Sequence, residues 1–199
     1  MYFTIKKQNE ILRKIKNNDY DLYAIKLKIG ICESDIDTLT ELVDLMFLSW
    51  KKMVMYKNNN YMKNYDGIIK RLFFECTEEG FEPYFYLLCV SKKRKLNADE
   101  EYKVRIFNEK IRIQTYIKWF SSWATTLKMC TPVSVNYSLV ELENLEKVIS
   151  EFCTNEKYTL LPLIDSAKRE LLKKASGDGK HKLVTFHGIF KNQGIEYER

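Results

Sequence analysis

The sequence predicts an α+β domain with a central, largely antiparallel sheet flanked by helices. Three observations predict it. Strand-like and helix-like segments follow one another irregularly rather than in strict βα pairs. Two apolar runs, 68–76 and 81–90, are separated only by the turn TEEG and read as a hairpin. A chain of 199 residues with 45% apolar side chains, 13 Tyr and 11 Phe can fill a core, while 7 Gly and 3 Pro argue against a turn-dense all-β fold.

The elements follow in order. Over residues 4–17, Ile5, Ile11, Leu12 and Ile15 share one helix face, and Lys6, Lys7, Arg13, Lys14 and Lys16 stand elsewhere on it. We take residues 1–20 as a basic N-terminal helix or arm and 21–199 as one domain. DLYAIKLKIGI (21–31) alternates and is rich in β-formers, so it reads as a strand. Ser34 and Asp37 then resemble a capping box, and Ile36, Leu39, Val43, Met46, Phe47, Trp50 and Val54 recur at helical spacing. NNNYMKNYDG breaks the chain before the hairpin.

Beyond the hairpin, SKKRKLNADEE reads as a loop and YKVRIF as a short strand. Ile113, Ile117, Phe120 and Leu127 support a helix carrying Trp119 and Trp123, ended by Pro132, with a short extended piece in TPVSVNYS. Residues 138–153 read as a helix with a capping box at Ser138 and Glu141 and a stripe of Leu142, Leu145, Val148, Ile149 and Phe152. A further amphipathic helix spans 160–175, Gly177 and Gly179 stop it, and KLVTFHGIF (182–190) is a last strand.

Charge and cysteine content narrow the function classes. A net charge of +6 suits a polyanion partner without requiring one. The 5 cysteines fit no metal or CxxC spacing; Cys76, Cys89 and Cys153 sit among apolar neighbours as small core residues. The odd count and the absence of an apolar leader or a run of roughly 20 apolar residues point to a cytoplasmic protein with no membrane partner.

The hairpin carries the most informative motif. GFEPYFYLLCVSKKRK places Glu82, Tyr84 and Tyr86 on one side of a strand that leads into Lys92, Lys93, Arg94 and Lys95. AIKLKIGICESDIDTLTELVDLMFLSWKKM, GIIKRLFFECTEEGFEPYFYLLCV, YIKWFSSW and HKLVTFHGIFKN, in that order, resemble successive parts of the plasmid rolling-circle replication initiators. The likeness covers about residues 21–192. It implies the HUH endonuclease fold, in which histidines on one strand hold a divalent metal and a helix tyrosine attacks DNA. The metal acts there as a Lewis acid on the scissile phosphate.

This sequence departs from that pattern where the chemistry resides. The frame His-Pro-His-hydrophobic-His reads Glu82-Pro83-Tyr84-Phe85-Tyr86. The acidic position of the preceding strand falls on Phe73, with Glu75 two residues on, and the nucleophile position falls on Phe152. A phenol is a poor ligand for a hard divalent ion at neutral pH, and phenylalanine has no hydroxyl. The expectation is therefore a protein without metal, cofactor or catalytic residue that keeps a DNA-binding surface, acting in replication control or in interference with another mobile element or a host system.

Lys92, Lys93, Arg94 and Lys95 would take phosphates, and Tyr84 and Tyr86 would stack on bases. Two other readings compete. One is a protein-binding module that uses the inactive fold as a scaffold. The other is a nicking enzyme whose site is reassigned to Glu75, Glu82 and His187.

Overall fold

The computed structural model describes residues 5–29, 36–55, 65–76, 81–93, 134–153 and 184–191. They form α1 (Ile5–Asn17), β1 (Tyr20–Lys28), α2 (Ile36–Met55), β2 (Gly67–Cys76), β3 (Phe81–Lys92), β4 (Ser134–Leu139), a 3₁₀ turn (Leu142–Asn144), α3 (Leu145–Cys153) and β5 (Val184–Gly188). Five strands make one sheet in the order β4-β1-β3-β2-β5, and every neighbouring pair is antiparallel. The expected α+β class therefore holds. The expected Ser34–Asp37 cap, the strand at 102–107, the helices bearing Trp119, Trp123 and residues 160–175, and Arg94 and Lys95 lie outside the described residues.

The hairpin is the sheet's centre. β2 and β3 pair from Gly67↔Val90 to Cys76↔Phe81. β3 pairs on its other side with β1, so both of its edges are hydrogen-bonded. Side chains alternate between the two faces, and both faces are covered. On one, Ile25, Leu27, Leu72, Phe74, Phe85, Leu87 and Cys89 pack under Leu39, Val43, Met46, Trp50 and Met53 of α2. On the other, Leu22, Ile69, Phe73, Tyr84, Tyr86, Leu88 and Val90 pack under Ile11 and Ile15 of α1 and Leu145, Ile149 and Phe152 of α3. The basic N-terminal helix thus lies on the sheet, held by the apolar stripe its spacing predicts.

A tight corner fixes β5 to the end of the hairpin. Gly188 has φ of +61°, and a Cβ there would overlap the Asp66 carbonyl. At Gly67 a Cβ would come within 2.8 Å of the Ile189 and Phe190 side chains. Both positions therefore need glycine. The Ile189 N–H donates to the Asp66 carbonyl at 2.9 Å, and Phe190 is fully buried.

The helix expected over 138–153 is shorter than its sequence signal. Residues 134–139 are strand β4, with Ser138 opposite Ala24 of β1. The Ser138 hydroxyl donates to the Ala24 carbonyl at 3.4 Å instead of capping a helix. Val135 and Tyr137 pack with the core under α2, so burying them in the sheet outweighs the local cap pattern. Leu142, expected on the helix stripe, is 68% exposed. Among the described residues, no helix is long and apolar enough to cross a membrane.

Candidate functional site

The candidate site follows from the register of three strands. Phe73 of β2 faces Tyr84 of β3, and Glu75 faces Glu82. On β3's other side Lys28 faces Tyr84, and Lys26 faces Tyr86. All seven project to the face that α1 and α3 cover. α3 then brings Phe152 onto the same place. The aromatic rings form one cluster: Phe73 stacks on Tyr84 with centroids 5.6 Å apart, and Tyr86 meets Phe152 edge-on at 5.3 Å and Phe73 at 5.7 Å. Phe73 also meets Phe152 at 6.1 Å. The sequence-derived positions Phe73, Glu75, Glu82, Tyr84, Tyr86 and Phe152 are thus brought together in space.

The charged groups around this cluster were not singled out by sequence. Lys28 donates to Glu75 at 2.7 Å and to Glu82 at 2.5 Å, so one ammonium is shared by two carboxylates. Burial works against the Lys28 charge, but its hydrogen bonds to the two glutamates outweigh that and hold its pKa above the ordinary lysine value. The Lys28 and Lys26 ammoniums also lie 5.3 and 5.6 Å from the centre of the Tyr84 ring. Arg71, only 4% exposed, donates to the Phe152 and Cys153 carbonyls at 2.6 and 3.0 Å. It therefore satisfies the end of α3, where the helix leaves carbonyls without partners and a cation is favoured. The alternating Lys-Leu-Lys of β1 was the available signal for Lys26 and Lys28; the buried Arg71 had none, because beside Lys70 it reads as part of a solvated step in the strand.

The groups gathered here are aromatic rings and a lysine-bridged pair of carboxylates. Among the described residues, no three His, Cys, Asp or Glu side chains are grouped to hold a metal. Burial, with Glu151 adding to it, pushes the Tyr86 hydroxyl up to about 12, so it is protonated at neutral pH. The residue at the nucleophile position, Phe152, is fully buried.

Two sequence-based roles need correction, and one basic pair lies apart from the cluster. Tyr84 and Tyr86 are 2% and 6% exposed, so their rings have no open face on which a base could stack. The apolar stripes of α1 and α3 close over the strand face, which β3's alternation alone did not reveal. Lys92 is exposed, and as the last residue of β3 it lies far from Glu82. It pairs with Tyr20 at the opposite end of β3, ten residues from Glu82, or roughly 33 Å at strand rise. Lys93, at the same end, pairs with Asp19 at 3.4 Å. Finally, His187 is opposite Ile68 and belongs to the α2 face, so the sheet separates it from Glu75 and Glu82. A site built from these three residues is not assembled.

A few other groups are buried without being part of this cluster. Lys70, 1% exposed, lies on the α2 face with its ammonium 3.9 Å from the centre of Phe85, 4.2 Å from Phe47 and 5.5 Å from Trp50. Burial lowers its pKa to about 7. Cys89 and Cys153 are buried free thiols whose pKa values burial raises, so they act as small core residues, as their apolar neighbours predict. A cavity of about 210 Å³ opens beside Gly67, lined by Val54, Tyr65, Ile68, His187 and Gly188.

Comparison of the chain with protein-family models, with curated proteins and with solved structures finds no match.

Proposed function

We propose that this chain is a catalytically degenerate relative of the rolling-circle replication initiators that binds DNA. The observation that carries the reading is the convergence of Phe73, Glu75, Glu82, Tyr84, Tyr86 and Phe152 on one face of an antiparallel sheet. The resemblance assigns the histidine frame to Glu82, Tyr84 and Tyr86, the acidic position to Phe73 and the nucleophile to Phe152, with Glu75 two residues beyond Phe73. They meet across three elements, yet stacked rings and a lysine-bridged acid pair occupy them. A net charge of +6 supports a polyanion as the partner. Replication control, or interference with another mobile element or host system, is the role that such a protein would serve.

Fluorescence anisotropy with single- and double-stranded DNA, from low to moderate salt, tests the binding. The expected result is binding that weakens steeply with salt. No binding of either DNA at low salt would overturn the reading. Incubation of supercoiled and single-stranded DNA with magnesium or manganese should give neither nicks nor a covalent protein–DNA adduct; an adduct would restore an enzymatic role.

One observation favours the scaffold alternative. Leu139 at the end of the sheet-edge strand β4 is 40% exposed, and Leu142 just beyond it is 68% exposed. Paired apolar side chains at a strand edge suit a protein partner. A partner that co-purifies free of nucleic acid, and is lost on Leu142→Asp substitution, would support that reading.

A further inference from the structure

Burial of Tyr84 and Tyr86 leaves the proposed DNA binding without its expected stacking residues. The described cations offer a surface for phosphates. α1 runs along the β5 flank of the sheet: the Lys7 ammonium is 5.7 Å from the centre of the Phe186 ring, and Lys14 donates to the Ile189 carbonyl at 2.7 Å. Lys14 therefore touches the tight turn that holds Lys191, whose N–H donates to the Gly188 carbonyl. The same turn is tied to the exit of β3. Asp66 accepts the Ile189 N–H through its carbonyl, and the Lys92 N–H through its carboxylate at 2.8 Å. A short chain of hydrogen bonds thus brings Lys14, Lys191 and Lys92 to one end of the sheet.

Lys6 and Arg13 extend this basic surface along the helix. They are seven residues apart, two turns and about 10.5 Å along one stripe. That stripe points away from Ile11 and Ile15, which are buried. Lys6, Arg13, Lys191 and Lys92 are all exposed. Of the acids nearby, Glu10 pairs with Lys7 at 3.3 Å, Asp19 with Lys93 at 3.4 Å and Glu146 with Lys16 at 2.7 Å, Asp66 accepts the Lys92 N–H, and Asp21 is half-buried near Lys93. What remains outward is a strip of positive charge about two helical turns long that bends round the end of the sheet.

Resting on the DNA-binding reading above, we infer that the nucleic-acid contact is this strip, Lys6, Arg13, Lys14, Lys191 and Lys92, and that its ligand is the sugar-phosphate backbone. The chemistry is that of phosphate contacts: among the described residues, the strip presents ammonium and guanidinium groups and no stacking platform or groove for base edges. Binding is therefore insensitive to sequence and governed by counterion release. Four or five engaged phosphates correspond to a log–log salt slope of about −4 on duplex DNA and about −3 on single strands. The two slopes distinguish the two forms of the ligand.

The test compares the full chain with a Lys6→Gln/Arg13→Gln/Lys191→Gln variant. Lys14 is left in place because it holds the Ile189 turn. A Lys51→Gln/Lys52→Gln variant on the exposed side of α2 is the control. All three substitutions in the first variant are at exposed positions, and circular dichroism should report an unchanged fold. The expected result is affinity at least tenfold weaker at about 100 mM salt, and a duplex slope shallower by about 2 to 3. The control should match the parent.

Parent protein that binds DNA with the same slope as the triple variant overturns the strip and leaves the DNA-binding reading standing. Parent protein that binds neither DNA overturns both. Retention on phosphatidylserine vesicles without DNA binding also overturns both, because the same cations then serve a membrane surface.

Discussion

Lys70 and Arg71 are adjacent in sequence and go to opposite faces of β2, and both are buried. On the α2 face, the Lys70 ammonium is ringed by Phe47, Phe85 and Trp50, and burial is the cause that moves its pKa. On the α1–α3 face, the Arg71 guanidinium is taken up by two carbonyls at the end of α3 and lies 4.8 Å from the Phe73 ring. The same kind of charge is tolerated on one side and employed on the other. The α2 face is a conventional apolar core with one ill-suited cation. The α1–α3 face has its polar groups matched: Arg71 with the helix end, and Lys28 with Glu75 and Glu82. A face whose buried charges are paired in this way differs in kind from an apolar core, and it is the face on which the candidate site lies.

The largest effect expected is on the α2 face. Phe85 is fully buried at its centre, with Phe47 at 5.0 Å, Trp50 at 6.1 Å and the Lys70 ammonium over its ring. Phe85→Ala should cost about 4 kcal/mol, the usual range for a buried aromatic, and should leave Lys70 with a poorer environment. Urea denaturation measures it. A loss under about 1 kcal/mol would mean that α2 does not rely on this packing and that the two faces differ less than described.

Lys70→Met should act in the opposite direction. Holding the amine near 7, instead of 10.5, costs the fold at most about 5 kcal/mol, and the aromatic contacts offset part of that. Below pH 7 the ammonium is charged in both folded and unfolded chains, and the full penalty applies. Between pH 7 and 10.5 the folded chain has released the proton and the unfolded chain has not, so stability rises by about 1.4 kcal/mol per pH unit. The methionine variant should be more stable by about 3 kcal/mol at pH 6, with the difference gone above pH 10.5. Parallel stability–pH profiles for the two proteins would sink this account of Lys70.

These two residues also mark the limit of what the sequence discloses. Alternation located β1, β2 and β3, and it correctly put Glu82, Tyr84 and Tyr86 on one side with Glu75 and Phe73 opposite. Helical spacing placed Ile11 and Ile15 inward on α1. Burial on both faces was not legible, because Lys70-Arg71 in mid-strand reads as a solvated step unless two layers of helix are known to cover it. Tyr84 and Tyr86 were misjudged for the same reason. Ser138 and Glu141 matched a helix cap, but pairing with β1 is a contact over a hundred residues away, and no local pattern carries it.

Arg71→Met tests whether the paired face depends on its pairing. The substitution removes two charge-assisted hydrogen bonds and leaves the Phe152 and Cys153 carbonyls facing an apolar chain. A loss of about 2 kcal/mol is expected, with α3 loosened before the rest. Hydrogen exchange should show the amides of Ile149–Cys153 deprotected more than those of β3. Uniform deprotection would mean that Arg71 supports the whole core and not the end of α3.

The smallest effect expected is at Lys28, and its pH dependence is more informative than its size. Lys28, Glu75 and Glu82 are 16%, 20% and 16% exposed, so solvent weakens their pairing, and Lys28→Met should cost about 1 kcal/mol at pH 7. The reason is that Glu75 and Glu82 face each other across β2 and β3, and like charges in that position repel. The Lys28 ammonium offsets that repulsion, and its pKa is held above the ordinary lysine value by the two glutamates. A raised lysine pKa stabilises the fold below the ordinary lysine value and stops doing so as pH rises through the folded value, so the deficit is present at pH 7 and shrinks at strongly alkaline pH. Thermal unfolding at pH 7 and at strongly alkaline pH reads this directly. A deficit that persists at strongly alkaline pH would assign the role of Lys28 to the packing of its stem over Tyr84, 5.3 Å from ammonium to ring centre, and not to its charge. The acid pair would then be a surface feature, and the distinction between a matched face and an apolar one would rest on Arg71 alone.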